Sequence, residues 1–101
     1  MRGSAKKKVT GGKLISIRVE FNGSIDKIEI MGDFFLHPEE SISYIEESIL
    51  NTRTDEPEAA LAQRISNVAE SKKIEMIGVT PEAIASTVKM AIRNGMESNR
   101  A

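Results

Sequence analysis

The chain has 101 residues, 40% of them hydrophobic, and its 14 Lys and Arg nearly balance 15 Asp and Glu for a formal net charge of -1. That length suits one small domain, and the charge balance provides no field to attract nucleic acid or an anionic membrane. Without cysteine, disulfides, thiolate metal sites and cysteine nucleophiles are excluded. No apolar run reaches the roughly 18–20 residues of a membrane span and no signal-peptide pattern opens the chain, so a cytoplasmic protein with no nucleic-acid and no membrane partner is expected.

Met1-Arg2-Gly3-Ser4 reads as an expression leader. Residues 1–8 are therefore expected to be a flexible N-terminal segment, possible leader included, with order beginning near Val9. Lys6-Lys7-Lys8 lacks interleaved aromatics and reads as a solvated tail rather than a nucleic-acid footprint. A single domain is expected over 9–95, followed by a tail over 96–101.

Between Lys13 and Phe21, Ile15, Ile17, Val19 and Phe21 alternate with Ser16, Arg18 and Glu20, the period of a half-buried strand. Asn22-Gly23 suits a two-residue hairpin turn. That turn sets Phe21 opposite Ser24, Ile17 opposite Ile28 and Ile15 opposite Ile30, with Arg18 opposite Lys27 on a wet outer face. His37 is read as a helix N-cap and Pro38 as the first helical residue, with Glu39 and Glu40 suited to the helix dipole. Ile42, Ile45, Ile49 and Leu50 then form an apolar stripe, with Glu46 and Glu47 away from it.

Thr54 or Asp55 is the expected cap of a second helix through Leu61, Ile65 and Val68, fading at Ser71–Lys73. Ile74–Val79 reads as extended, which adds a third strand if it pairs. Thr80-Pro81-Glu82 opens a third helix carrying Ile84, Val88, Ala91 and Ile92, expected to stop at Asn94-Gly95. The fold class is thus α+β: a small antiparallel hairpin or sheet of two strands, or three, covered by about three helices.

Lys8-Val9-Thr10-Gly11-Gly12-Lys13 sets two lysines around paired glycines, where backbone amides can approach phosphate or carboxylate closely. It lacks P-loop spacing, and Leu14 stands where a magnesium-binding hydroxyl would be; on composition alone a flexible lead-in to an edge strand with solvated lysines is the better reading. Gly32-Asp33-Phe34-Phe35-Leu36 holds two of the three phenylalanines, suited to core packing or to contact with another protein. Asp33 reads as a turn cap, and His37, the only histidine, has no partner placed for a triad or metal site. Lys27 follows Asp26, as the modified lysine follows an aspartate at a hairpin tip of all-β lipoyl acceptor domains, but here it falls inside a strand of a helix-rich domain.

In order, Lys8-x-x-Gly11-Gly12-Lys13-Leu14, the Asn22-Gly23 hairpin, Gly32-Asp33-Phe34-Phe35-Leu36-x-Pro38-Glu39-Glu40 and the Ile-rich helix resemble the C-terminal domain of lipoate–protein ligases and their separately encoded accessory subunit. The resemblance spans roughly Lys8 to Gly95; Thr10 departs from it, since proline often precedes the glycines there. It implies a heterodimer with a large catalytic subunit that holds ATP, Mg and lipoate, none of them bound by this chain alone. The pair would form lipoyl-AMP and then lipoylate a lysine of acceptor domains reached through the complex. By resemblance this chain serves mainly the first step and contributes no catalytic residue and no metal ligand. Lys8, Gly11, Gly12 and Lys13 would form an adenylation-supporting loop, and Asp33, Phe34 and Phe35 a partner interface. The competing reading is a stand-alone interaction or scaffold module of the small α+β type found in iron–sulfur assembly proteins, without their cysteine chemistry. An independent enzyme finds no nucleophile–base pair or ligand cluster by spacing.

Overall fold

The computed structural model describes residues 1–9, 11 and 13–98. The elements run β1 (Arg2–Lys8), β2 (Leu14–Phe21), β3 (Ile25–Gly32), β4 (Phe35–His37), α1 (Ile42–Ile49), α2 (Glu58–Ser71), β5 (Glu75–Ile77) and α3 (Pro81–Ser98). Antiparallel β1-β2-β3 form one sheet, and β4 pairs antiparallel with β5 in a second. The α+β expectation holds, with more strands than the hydrophobic pattern reveals.

Alternation in β2 buries Ile15, Ile17, Val19 and Phe21, and all three helices lie on that face of the sheet. Helix α3 packs on β1 and β2, α1 on β3, and α2 touches both helices. Ile45 and Ile49 of α1, Leu61 and Ile65 of α2, and Ile84 and Val88 of α3 are fully buried against it. Burying about 1.5–3 kcal/mol of apolar side chain at each such position is what holds the layers together. No helix among the described residues is long and apolar enough to cross a membrane.

Several expectations are corrected. The segment 1–8 is not a free leader: Arg2 to Lys8 pair residue for residue with Glu20 to Leu14. Its helix-facing residues are Gly3, Ala5 and Lys7, two of them small enough to let α3 close in. A Cβ on Gly3 would collide with the Ala91 carbonyl oxygen, and Lys7 Nζ donates to Ser86 Oγ at 2.8 Å. Met1 also exchanges hydrogen bonds with Phe21, so the paired structure extends well ahead of Val9. At the other end α3 continues through Asn94-Gly95 to Ser98, so 96–98 are helix; 99–101 lie outside the described residues.

The β2–β3 register sits two residues from the expected one: Ile17 faces Ile30, Val19 faces Ile28 and Phe21 faces Ile25, with a bulge between Glu20 and Phe21. The longer loop gives Phe21 the fully buried Ile25 as its neighbour in place of Ser24. Along most of the strands the slide is two residues and preserves which face each side chain takes, while the bulge turns Ile25, expected opposite Glu20 on the wet face, into the core. Arg18 now faces Glu29 across the wet side, 3.7 Å away.

His37 does not cap a helix; it ends β4 opposite Glu75. A 3-10 turn over Glu39–Ser41 leads into α1, because pairing with β5 holds the chain extended up to His37. Glu46, expected away from the buried stripe, accepts the Ile30 N–H at 2.8 Å and so blocks the open edge of β3. Thr54 and Asp55 do not cap α2, which starts after Pro57 without a side-chain cap. Thr80 does cap α3, its hydroxyl accepting the Ala83 N–H at 3.1 Å. The extended reading of Ile74–Val79 takes form as β5.

Candidate functional site

Lys8 and Leu14 close a β1–β2 hairpin, so the motif does not lead into an edge strand: β2 is the central strand. Lys8 is the last residue of β1, opposite Leu14, and the Val9 N–H donates to the Lys13 carbonyl at 2.8 Å to close the neck. Gly11 is exposed with φ 90° and open space around it. Lys8 is exposed and Lys13 half-buried. Gly12, like Thr10 before it, lies outside the described residues.

Two other segments are brought to this hairpin neck. Leu14 donates its N–H to Asp33 Oδ1 at 2.5 Å, and the Asp33 N–H returns to the Leu14 carbonyl at 3.2 Å. This reciprocal pair ties the Gly32-Asp33-Phe34 turn to the residue that follows Lys13. On the other side the aliphatic stem of Lys13 lies along Gly78, where a Cβ would stand 3.1 Å from Lys13 Cγ. Gly78 also has φ 85°, so both backbone shape and space favour glycine there. The Lys13 stem is thereby held against the protein.

The three residues assigned to an interface separate by role. Asp33 fixes the turn. Phe34 is half-buried and packs against the core, with its ring beside Gly32, where a Cβ would lie 2.6 Å from Phe34 Cε1. Phe35 is 64% exposed and stands directly opposite Ile77, itself 49% exposed. Sequence reading missed Ile77 and Gly78 altogether. The lone glycine after an extended apolar run was the available signal, since such a glycine marks close approach of another segment.

No group of three or more His, Asp or Glu among the described residues is placed to hold a metal. An open cleft of about 820 Å³ is lined by Arg2, Arg18, Lys27, Glu29 and Glu46 among others, and takes in none of Lys8, Lys13 or Phe35. The candidate site thus lies apart from that cleft. Its described residues carry two lysines and the Gly11 amide, groups of the kind that meet an anion, with the Phe35–Ile77 pair nearby. Lys27, in β3, is exposed on the outer sheet face rather than at a hairpin tip.

This architecture occurs in an archaeal lipoylation system. The chain is similar to a solved structure described as a bipartite lipoate protein ligase and its E2 lipoyl domain from Thermoplasma acidophilum, with a TM-score of 0.72 and 26% identity. The similarity covers 87% of this chain and 94% of the Thermoplasma chain, so the two are of nearly equal size and share almost the whole fold. No protein-family model matches the sequence, and no curated protein does. The Thermoplasma lipoylation chain thus supports the ligase resemblance through three-dimensional structure.

Proposed function

We propose that this chain is the accessory subunit of a bipartite lipoate–protein ligase, required with a large catalytic subunit for ATP-dependent activation of lipoate to lipoyl-AMP before lipoyl transfer to an acceptor lysine. The observation that carries the reading is similarity across 94% of a small chain from a bipartite ligase system, together with the meeting of the Gly-Gly-Lys and Gly-Asp-Phe motifs in space. That system also includes a lipoyl domain. Three helices on a sheet, and a Lys27 inside β3 rather than at a hairpin tip, favour the ligase side over the all-β acceptor.

Adenylation builds negative charge on the phosphates of ATP as pyrophosphate departs, and preorganised cations or amides aimed at that charge lower the barrier. Closing a small domain over the nucleotide also excludes water. In this reading the large subunit holds ATP, Mg and lipoate, and Lys8, Lys13 and the amides of Gly11 and Gly12 approach the phosphates from the hairpin tip.

The test is lipoate-dependent ATP–pyrophosphate exchange by the large ligase chain of the same organism, with and without this chain. Exchange should switch on with the pair, and Lys13→Ala should reduce it by about 10²-fold if the ammonium meets developing charge. Undiminished exchange by the large chain alone overturns the accessory role; full activity of the Lys13→Ala complex overturns the role of the loop.

A further inference from the structure

The three-stranded sheet has two edges, β1 and β3, and the helices treat them differently. Helix α3 packs directly on β1: Asn94 Nδ2 donates to the Ser4 carbonyl at 2.9 Å, and the Arg2 carbonyl oxygen lies 2.7 Å from where a Cβ on Gly95 would stand. Along β3 an open cleft of about 820 Å³ remains, lined in part by Lys27, Ile28 and Glu29 of the strand and by Glu46, Glu47 and Leu50 of α1. An edge with room beside it is where a further strand can add.

Hydrogen bonding along β3 defines what such a strand would meet. The Ile30 N–H points away from β2, since it donates to Glu46 Oε2 at 2.8 Å. Alternate residues of an antiparallel strand turn their backbone groups the same way, so Ile28 also presents its N–H and C=O outward. The strand is self-complementary in charge as well. With Ile28 of one copy paired antiparallel to Ile28 of a second, each Lys27 falls opposite the other copy's Glu29 on the outer sheet face, a favourable cross-strand arrangement. The next outward donor in that ladder is the Ile30 N–H, the one that Glu46 occupies.

We propose that the β3 edge is a latent contact between two copies of this chain, and that Glu46 is the gate that keeps it shut. The carboxylate stands where a carbonyl of the second strand would accept. It is half-buried, and its helix is fixed by the fully buried Ile45 and Ile49, which keeps it at the edge. A strand pair alone buries well under the roughly 800 Å² that each side of a stable dimer contributes, so one blocked donor is enough to decide between monomer and dimer. With the gate shut the chain stays single. The proposal concerns this chain by itself and holds or fails independently of the accessory-subunit reading.

The experiment is sedimentation velocity over a concentration series of the wild-type chain, Glu46→Ala, Glu46→Gln and the double variant Glu46→Ala with Lys27→Glu. Circular dichroism establishes folding, and NMR follows amide exchange. The wild-type chain should stay monomeric, and Glu46→Ala should self-associate at least about tenfold more tightly, because it frees a donor held by a charged acceptor. Glu46→Gln keeps an acceptor for the Ile30 N–H and should remain monomeric over the same range. Lys27→Glu sets like charges opposite each other and should return the double variant to monomer. In the wild-type chain the Ile30 amide should exchange at least about tenfold more slowly than that of Ile28.

A wild-type dimer, or a folded Glu46→Ala chain that stays monomeric, overturns the proposal. A Glu46→Gln dimer as tight as that of Glu46→Ala overturns the hydrogen-bonded gate. A dimer that survives Lys27→Glu places the contact elsewhere and overturns the pairing of β3 with itself. Should Glu46→Ala fail to fold, the wild-type amides decide: Ile30 exchanging as fast as Ile28 overturns the gate.

Discussion

A Cβ at position 95 would lie 2.7 Å from the Arg2 carbonyl oxygen and 2.8 Å from the Phe21 ring. Gly95 is thus a contact residue inside α3, where the helix crosses β1 and β2, and not the stop that Asn94-Gly95 suggests in the sequence. The two roles predict opposite signs for Gly95→Ala. Helix propensity alone favours alanine by about 1 kcal/mol, while forcing a methyl against a backbone carbonyl costs about 1–3 kcal/mol. Because the carbonyl belongs to a paired strand and cannot rotate away, we expect a net loss of up to about 2 kcal/mol by urea unfolding. A gain would mean that α3 lifts freely from the sheet. At the same scale Asp55 has its carboxyl held below the usual range, first by its hydrogen bonds from Arg53 and then by the guanidinium charge, and Arg53 is raised for the same reasons. A depressed folded pKa contributes stability above the ordinary carboxylate range and loses it as pH falls through the folded value. The pair is fully exposed, so the consequence is spectroscopic: Asp55 should titrate below its unfolded value by NMR and return towards it in Arg53→Gln, and an unchanged titration would show that solvent screens the pair entirely.

At the scale of elements, legibility followed side-chain size. Helices α1 and α3 and strand β2 announce themselves through Ile and Val at their proper periods, whereas β1 has only Gly3, Ala5 and Lys7 on its inner side. No hydrophobic pattern marks such a strand; its fitness lies in how close α3 can come. The β2–β3 register was misread for a related reason, since Asn22-Gly23 favours a two-residue turn locally, and burying Ile25 beside Phe21 outweighs that preference. The connection between α1 and α2 shows the same dependence on partners distant in sequence. Lys89 of α3 donates from Nζ to the carbonyls of Thr54 and Glu56 at 2.8 and 2.9 Å, fastening this loop. Lys89→Met keeps the stem and removes both bonds. The expected cost is about 2–3 kcal/mol, the scale of hydrogen bonds to a charged group, with faster amide exchange confined first to residues 54–56 and the start of α2. Exchange rising uniformly through the chain would instead assign Lys89 to global packing.

For the whole molecule, the sequence displays the two motifs but not their meeting. Lys8, Lys13 and Asp33 were singled out separately. Their common neighbourhood exists because β1 pairs with β2, and because Leu14 and Asp33 exchange hydrogen bonds. The exposed Ile77 arrives from far along the chain through the β4–β5 ladder, which no local pattern encodes. What this assembly lacks bears on the division of labour. The described residues of the hairpin tip lie outside the open cleft lined by Arg2, Arg18 and Glu46, so on the proposed reading the tip acts by charge stabilisation and closure over a site in another chain. On the proposed reading those effects serve adenylation, where the leaving pyrophosphate gathers more charge than the AMP released when lipoyl-AMP meets an acceptor lysine. Supplying lipoyl-AMP to the large chain should therefore give lipoyl transfer at a rate within about twofold with or without this chain, while lipoate plus ATP should require it, a difference of at least about 10²-fold if the tip supplies the electrostatic stabilisation. Mass spectrometry of the acceptor domain reads both reactions. If transfer from lipoyl-AMP also depends on this chain, its surface serves the acceptor domain, and the outer sheet face with Arg18, Lys27 and Glu29 becomes the place to look.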